Sequence, residues 1–291
     1  MRRSAIALLT GAAALLAACG GPAGGPSSQA SSSAAPTSSA EPAPTVAPVP
    51  GIEAEIVRLR TDEAIGGQVQ VRLTDTGDTP FTVTAVALRS PGFEAEPPTA
   101  VTAEYAPGRV IDLPVPFGDP VCDEAPVPAV AAVNLTRPDG TVEQLEVPAA
   151  ADVLDLIHSE ECAVLGVTAV VDISVTDLHD DGDAVAGTLT LTRRTGSDAV
   201  TATRLSRSVL VEATADLPLA LGGDEDSAST DVSFTPASCD PHVLSETKKP
   251  YVFPLAVVVG DDDEVPVDLP LDQAAKDVLA AMVQRVCLPP S

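Results

Sequence analysis

The chain has 291 residues, with 16 lysines and arginines against 42 aspartates and glutamates, and a formal charge of −26. Phosphate-backbone binding needs a clustered basic surface, so this balance excludes nucleic acid as a partner and opposes close contact with anionic lipid headgroups. Aromatic residues make up 2% of the chain and tryptophan is absent, so any core is built from Val, Leu, Ile and Ala, and ring-stacking sugar sites are poorly supplied.

Residues 1–19 read as an export signal. Arg2 and Arg3 supply a positive start, and 5–16 is a short apolar run, too short to span a bilayer. It closes on Leu16-Ala-Ala-Cys19, which resembles the lipobox of bacterial lipoproteins. That resemblance covers only these 19 residues. It implies cleavage before Cys19, a diacylglycerol on its sulfur, and a protein lipid-anchored at the extracytoplasmic face of the plasma membrane. Residues 20–51 are low-complexity Gly, Ser, Ala, Pro and Thr and lack the apolar content to bury a core. They read as a disordered tether of roughly 30 Å when coiled.

A first domain is expected over 52–162. Val69, Val71 and Leu73 alternate with polar residues as a half-buried strand does, and Phe81, Val83, Ala85 and Ala87 alternate again after a turn at 76–78. The two read as a hairpin. Further strands are expected over 110–117, 127–135 and 142–147, with a turn at Pro138-Asp139-Gly140. A short helix is expected from Pro148, with Val153, Leu154 and Ile157 on one face. Ala163 to Gly166 then reads as a linker.

A second domain, 167–287, repeats the plan. Strands are expected over 167–175, 188–192, 205–211, 252–259 and 265–269, with turns at 180–183, 195–198 and 261–264. Asp272 is placed to cap a helix whose Ala275, Val278, Leu279, Met282 and Val286 form one apolar stripe.

Four of the five cysteines lie in a repeated frame. Phe117 precedes Cys122-Asp123, and Asp152-Val-Leu precedes Cys162; Phe234 precedes Cys239-Asp240, and Asp277-Val-Leu precedes Cys287, at matching spacings. The repeat favours the pairs Cys122–Cys162 and Cys239–Cys287. The first pair is 40 residues apart and the second 48, so the second frame carries an insertion, most simply within 240–251. Closing loops of this size is worth about 4 kcal/mol each on the chain-entropy model. Many short strands between turn signals give the fold class: mainly β, two tandem β-sandwich domains, each ending in a short helix and closed by a disulfide. The arrangement loosely resembles immunoglobulin-like tandems, without a tryptophan on the bridge and with the second cysteine on a helix. The Phe-x4-Cys-Asp frame also resembles that of secreted lipoproteins of high-GC Gram-positive bacteria, a resemblance that brings no activity with it.

Residue patterns that carry known chemistry are few. Cys239 and His242 make a C-x-x-H pair, but four zinc ligands in two close pairs are not present. The acidic runs at 180–183, 224–226 and 261–264 lack the ligand spacing of a calcium loop, so no metal and no cofactor is assigned. Ser245 and Lys248 match S-x-x-K without the other motifs of penicillin-interactive enzymes, and no G-x-S-x-G, H-E-x-x-H or phosphate-binding glycine loop occurs. The reading is therefore a membrane-anchored, non-catalytic binding module with an extracytoplasmic protein as possible partner. The alternative is a cell-envelope enzyme or enzyme accessory with an unrecognised site. The candidate interaction loop is the insertion in the second frame, with His242, Ser245, Lys248, Lys249 and Tyr251. Polar residues that the second frame has and the first lacks are where specialisation belongs.

Overall fold

The computed structural model describes residues 46–288. The export signal, Cys19 and the tether as far as residue 45 lie outside the described residues. The described chain is mainly β, with four helices, and its buried apolar residues fall into two clusters.

The first cluster is enclosed by one sheet. Its strands are β1 (Ile52–Val57), β2 (Gln68–Asp75), β3 (Phe81–Arg89), β4 (Thr99–Tyr105), β5 (Val110–Pro116), β6 (Ala129–Thr136) and β7 (Val142–Ala150), in the order β4-β3-β6-β7-β1-β2-β5. Only β1 and β7 run parallel. The edge strands β4 and β5 are consecutive in sequence. The turn between them uses Gly108 at φ +81°, and the Tyr105 hydroxyl donates to the Ile111 carbonyl at 3.4 Å. The sheet thus curls until its edges approach, and is nearly a barrel. Alternation along β2 sends Val69, Val71 and Leu73 inward, each fully buried.

The hairpin expected between β2 and β3 does not form. β2 lies between β1 and β5, and β3 between β4 and β6. Both edges of β2 are already taken, so residues 76–80 cross from one part of the curled sheet to another. β1 and β4 were not expected from sequence. Nor was helix α1 (Arg60–Ile65), whose Asp62 is buried and accepts from Leu59 N at 2.8 Å, Gln68 Nε2 at 2.8 Å and Gln70 Nε2 at 2.6 Å.

Pro148 does not open a helix. It sits in β7 opposite Val130, and the helix α2 begins only at Asp152. It then runs to Val170, so the expected linker at 163–166 is helical, and the strand expected from Val167 begins at Val171. The segment Val167-Thr-Ala-Val170, β-branched at three of its four positions, is helical, and its Val167 packs into the second cluster.

The second cluster lies between two four-stranded antiparallel sheets. One contains β8 (Val171–Asp181), β9 (Ala184–Arg193), β11 (Val211–Ala215) and β13 (Ser227–Pro236), ordered β11-β13-β9-β8. The other contains β10 (Val200–Leu205), β12 (Leu219–Leu221), β14 (Pro254–Val259) and β15 (Val265–Asp268), ordered β12-β10-β14-β15. The strand expected over 205–211 is instead the crossing between sheets, where buried Ser208 accepts from Val211 N at 2.9 Å. Helices α3 (Pro241–Glu246) and α4 (Gln273–Cys287) complete this half. Asp272 caps α4, accepting from Ala275 N at 2.7 Å; of the expected stripe Leu279 and Met282 are buried and Ala275, Val278 and Val286 pack half-buried on the core, while Val283, outside the stripe, is buried too.

Both disulfides are present, Cys122–Cys162 and Cys239–Cys287, with Cα separations of 5.6 and 5.1 Å. Such bonds form and persist in an oxidising, extracytoplasmic compartment. Among the described residues no helix is long and apolar enough to cross a membrane.

Candidate functional site

The insertion in the second frame is built in two parts. Cys239 is tied to the end of α4, and Asp240 next to it caps α3, accepting from His242 N at 2.8 Å and Val243 N at 3.2 Å. Pro241 at the first helical position suits this start. Val243 and Leu244 pack on the core, while His242 and Ser245 stay exposed. The Ser245 hydroxyl donates to the His242 carbonyl at 3.0 Å. The segment expected as a loop is therefore half helix.

The second part runs from Thr247, whose hydroxyl donates to the Val243 carbonyl at 2.6 Å, to Phe253, whose ring is fully buried against Phe234 at 5.1 Å. Between these anchors lie the exposed Lys248 and Lys249 and the half-buried Tyr251. Burial raises the Tyr251 phenol above its ordinary value, so it remains a neutral hydroxyl at physiological pH.

Facing this segment is the first half of α4. Lys248, Lys249, Tyr251, Gln273, Lys276 and Asp277 line a cavity of about 460 Å³, which Ala64 of α1 helps to close. Gln273 Nε2 donates to Asp277 Oδ1 at 2.8 Å. The cavity brings together all three lysines of the chain. Among the described residues none of them has a carboxylate within ion-pair distance. The ion pairs are made by Arg58, Arg72, Arg137, Arg194, Arg204, Arg207 and Arg285.

Three of the five expected loop residues thus belong to one cavity, and His242 and Ser245 do not line it. Lys276, Gln273 and Asp277 were missed. The signal available for Lys276 was scarcity, since a third lysine in so acidic a chain is as unusual as the first two.

The acidic runs have other work. Asp180 pairs with Arg285 at 3.1 Å, and Glu225 accepts from Gly222 N at 2.7 Å. The Glu264 carboxyl is held below its ordinary range, first by the Thr203 hydroxyl and then by Arg204. A second cavity, of about 530 Å³, lies over the β11-β13-β9-β8 sheet and is lined in part by Asp177, His179, Asp181, Asp216 and Asp231. Among the described residues no three His, Cys, Asp or Glu side chains converge as metal ligands. Near the first disulfide, His158 Nε2 lies 3.1 Å from the Val121 carbonyl oxygen and 3.7 Å from Cys162 Sγ, with the Phe93 ring edge-on at 5.5 Å.

No protein-family model and no curated protein matches the chain. Among solved structures, the YadV chaperone aligns over 75% of this chain and 100% of its own, at 14% identity and a TM-score of 0.21. Red sea bream transglutaminase aligns over 76% of this chain and 31% of its own, at 10% identity and a TM-score of 0.23. The BSP domain of a biofilm-associated protein aligns over 78% and 60%, at 9% identity and a TM-score of 0.20. Overlaps this loose carry no argument about fold or function.

Proposed function

We propose that the protein is an extracytoplasmic lipoprotein, anchored through Cys19, that acts as a non-catalytic binding module with the lysine-lined cavity as its binding surface. Its two tandem domains, 52–162 and 167–287, are read as immunoglobulin-like sandwiches, the first curled towards a barrel. Two separate apolar clusters and a disulfide in each half support that division. The lipobox and the tether support the anchor.

The observation that carries the binding reading is the fixed loop of 248–252. It is held by α3 and the Cys239–Cys287 bond on one side and by Phe253 on the other. A polar segment anchored at both ends loses little entropy on binding, which is what a recognition loop needs. The test is crosslinking on intact cells, comparing wild type with a Lys248→Ala/Lys249→Ala variant whose melting is unchanged. Loss of a specific crosslinked species supports the reading. An unchanged set removes this surface, and turnover of a substrate by the pure protein would make it an enzyme instead. Cys19→Ala should shift the protein from membrane to medium or leave an unprocessed precursor.

A further inference from the structure

We propose that the lysine-lined cavity takes a small polyol phosphate, its phosphate held by Lys248, Lys249 and Lys276. This rests on the binding-module reading above and names its ligand class.

The first ground is segregation of the basic residues. Among the described residues seven of the eleven arginines pair with a carboxylate, and Arg60, Arg89, Arg109 and Arg193 do not. The lysines have no such partner among the described residues either, and the fold brings Lys276 from α4 to the pair on the 248–252 segment. Three like charges with only Asp277 beside them in the cavity repel, and a bound anion converts that repulsion into attraction. Lysine also fits the task chemically. Its ammonium is a mobile point charge with three donors, suited to phosphate oxygens, whereas arginine's planar fork suits the bidentate carboxylate pairs it makes elsewhere, as in Arg72 with Asp112.

The second ground is size. A cavity of about 460 Å³ falls in the range of small-ligand sites. The third is Asp277, which opposes a simple anion site. Its Oδ1 is occupied by Gln273, and Oδ2 remains as an acceptor. An anion that also carries hydroxyl donors satisfies it, and the neutral Tyr251 hydroxyl adds one more polar contact. Phosphate and hydroxyl on one small carbon frame describe a polyol phosphate; the chain's charge of −26 opposes an anionic bilayer, so the free form is the expected ligand and a lipid's glycerol phosphate headgroup is the source the test separates from it.

The experiment uses the full mature chain at low ionic strength, where surface electrostatics are least screened. Glycerol 3-phosphate is titrated calorimetrically, and phosphatidylglycerol vesicles in phosphatidylcholine are tested by flotation. The expected result is saturable binding of one probe, weakened at least tenfold in Lys248→Ala/Lys249→Ala/Lys276→Ala. Binding of the soluble probe identifies a free ligand; binding of vesicles alone, equally lysine-dependent, identifies the headgroup. Asp277→Asn removes a negative charge beside the phosphate and so should tighten inorganic phosphate, while glycerol 3-phosphate loses severalfold relative to it. If the triple variant fails to fold, wild-type protein supplies the readout, because bound probe should protect the three lysines from acetylation. Absence of saturable binding to both probes, affinity unchanged in the triple variant, or unprotected lysines at saturation overturns the proposal. Should that happen while the loop variant still loses its crosslinked species, the ligand class fails and the binding-module reading stands; should both fail, both are withdrawn.

Discussion

The two cysteine frames are alike in what they bury and unlike in what they display. In each, the frame phenylalanine meets a second phenylalanine edge-on: Phe117 with Phe93 at 5.3 Å, and Phe234 with Phe253 at 5.1 Å. In each, the leucine of Asp-Val-Leu is fully buried, as Leu154 and Leu279. Past the Cys-Asp pair the frames part. Asp123 stands exposed in a turn that reaches β6 directly, whereas Asp240 caps α3 and the lysine segment follows. Scaffold positions recur because packing demands them twice; the inserted residues recur nowhere, and of them Val243 and Leu244 pack on the core while Lys248 and Lys249 stay exposed.

The widest test of this likeness is removal of each bridge. Cys122→Ser/Cys162→Ser and Cys239→Ser/Cys287→Ser should each cost about 4 kcal/mol, since the closed loops are of similar length. Urea melts of the two variants should be close, and a large gap would break the parallel. Next come the rings. Phe234→Ala should cost about 3 kcal/mol, and Phe117→Ala about half that, because Phe234 is fully buried and Phe117 is not. Smaller still is the cap. Asp240→Ala should lose about 1 kcal/mol as α3 loses its first-turn acceptor, and Asp123→Ala should stay within about 0.5 kcal/mol as an exposed substitution.

The finest comparison uses the chain's two tyrosines, one in each half. Burial raises both phenols above the ordinary value of 10.0, and for Tyr105 the charge of Asp112 adds to it. Raised folded values mean that the stabilisation is fully present below pH 10 and is lost as pH climbs through the raised ones. Absorbance titration should show Tyr251 ionising before Tyr105. Tyr105→Phe should flatten the fall of the melting temperature above pH 10; an equally steep fall would show that its phenol is not the group responsible.

What was legible in the sequence was what local chemistry decides. The Asp272 cap, the α4 stripe, the Pro138-Asp139-Gly140 turn and the paired cysteines each follow from a few neighbouring residues. What was not legible depends on distant partners. The turn after β2 looks like a hairpin turn, but β5, far along the chain, holds the position β3 would need. Val167 to Val170 carry strand propensity, yet the core of the second half accepts Val167 from a helix. The insertion was visible as a candidate, but its completion by Lys276 was not. That meeting requires knowing which face of α4 turns from the core and what lies opposite.

Helix α2 has a consequence for how the protein withstands proteolytic attack. Its Leu154 and Ile157 belong to one cluster and its Val167 to the other, on a rod of about 28 Å. Neither disulfide bridges the two halves, so covalent continuity between them passes through 163–166 alone. A proteinase needs extended backbone at its scissile bond, and there it meets wound helix fastened at both ends. Cutting the halves apart would first require unwinding turns that both clusters hold in place, so digestion should trim the termini long before it severs the middle.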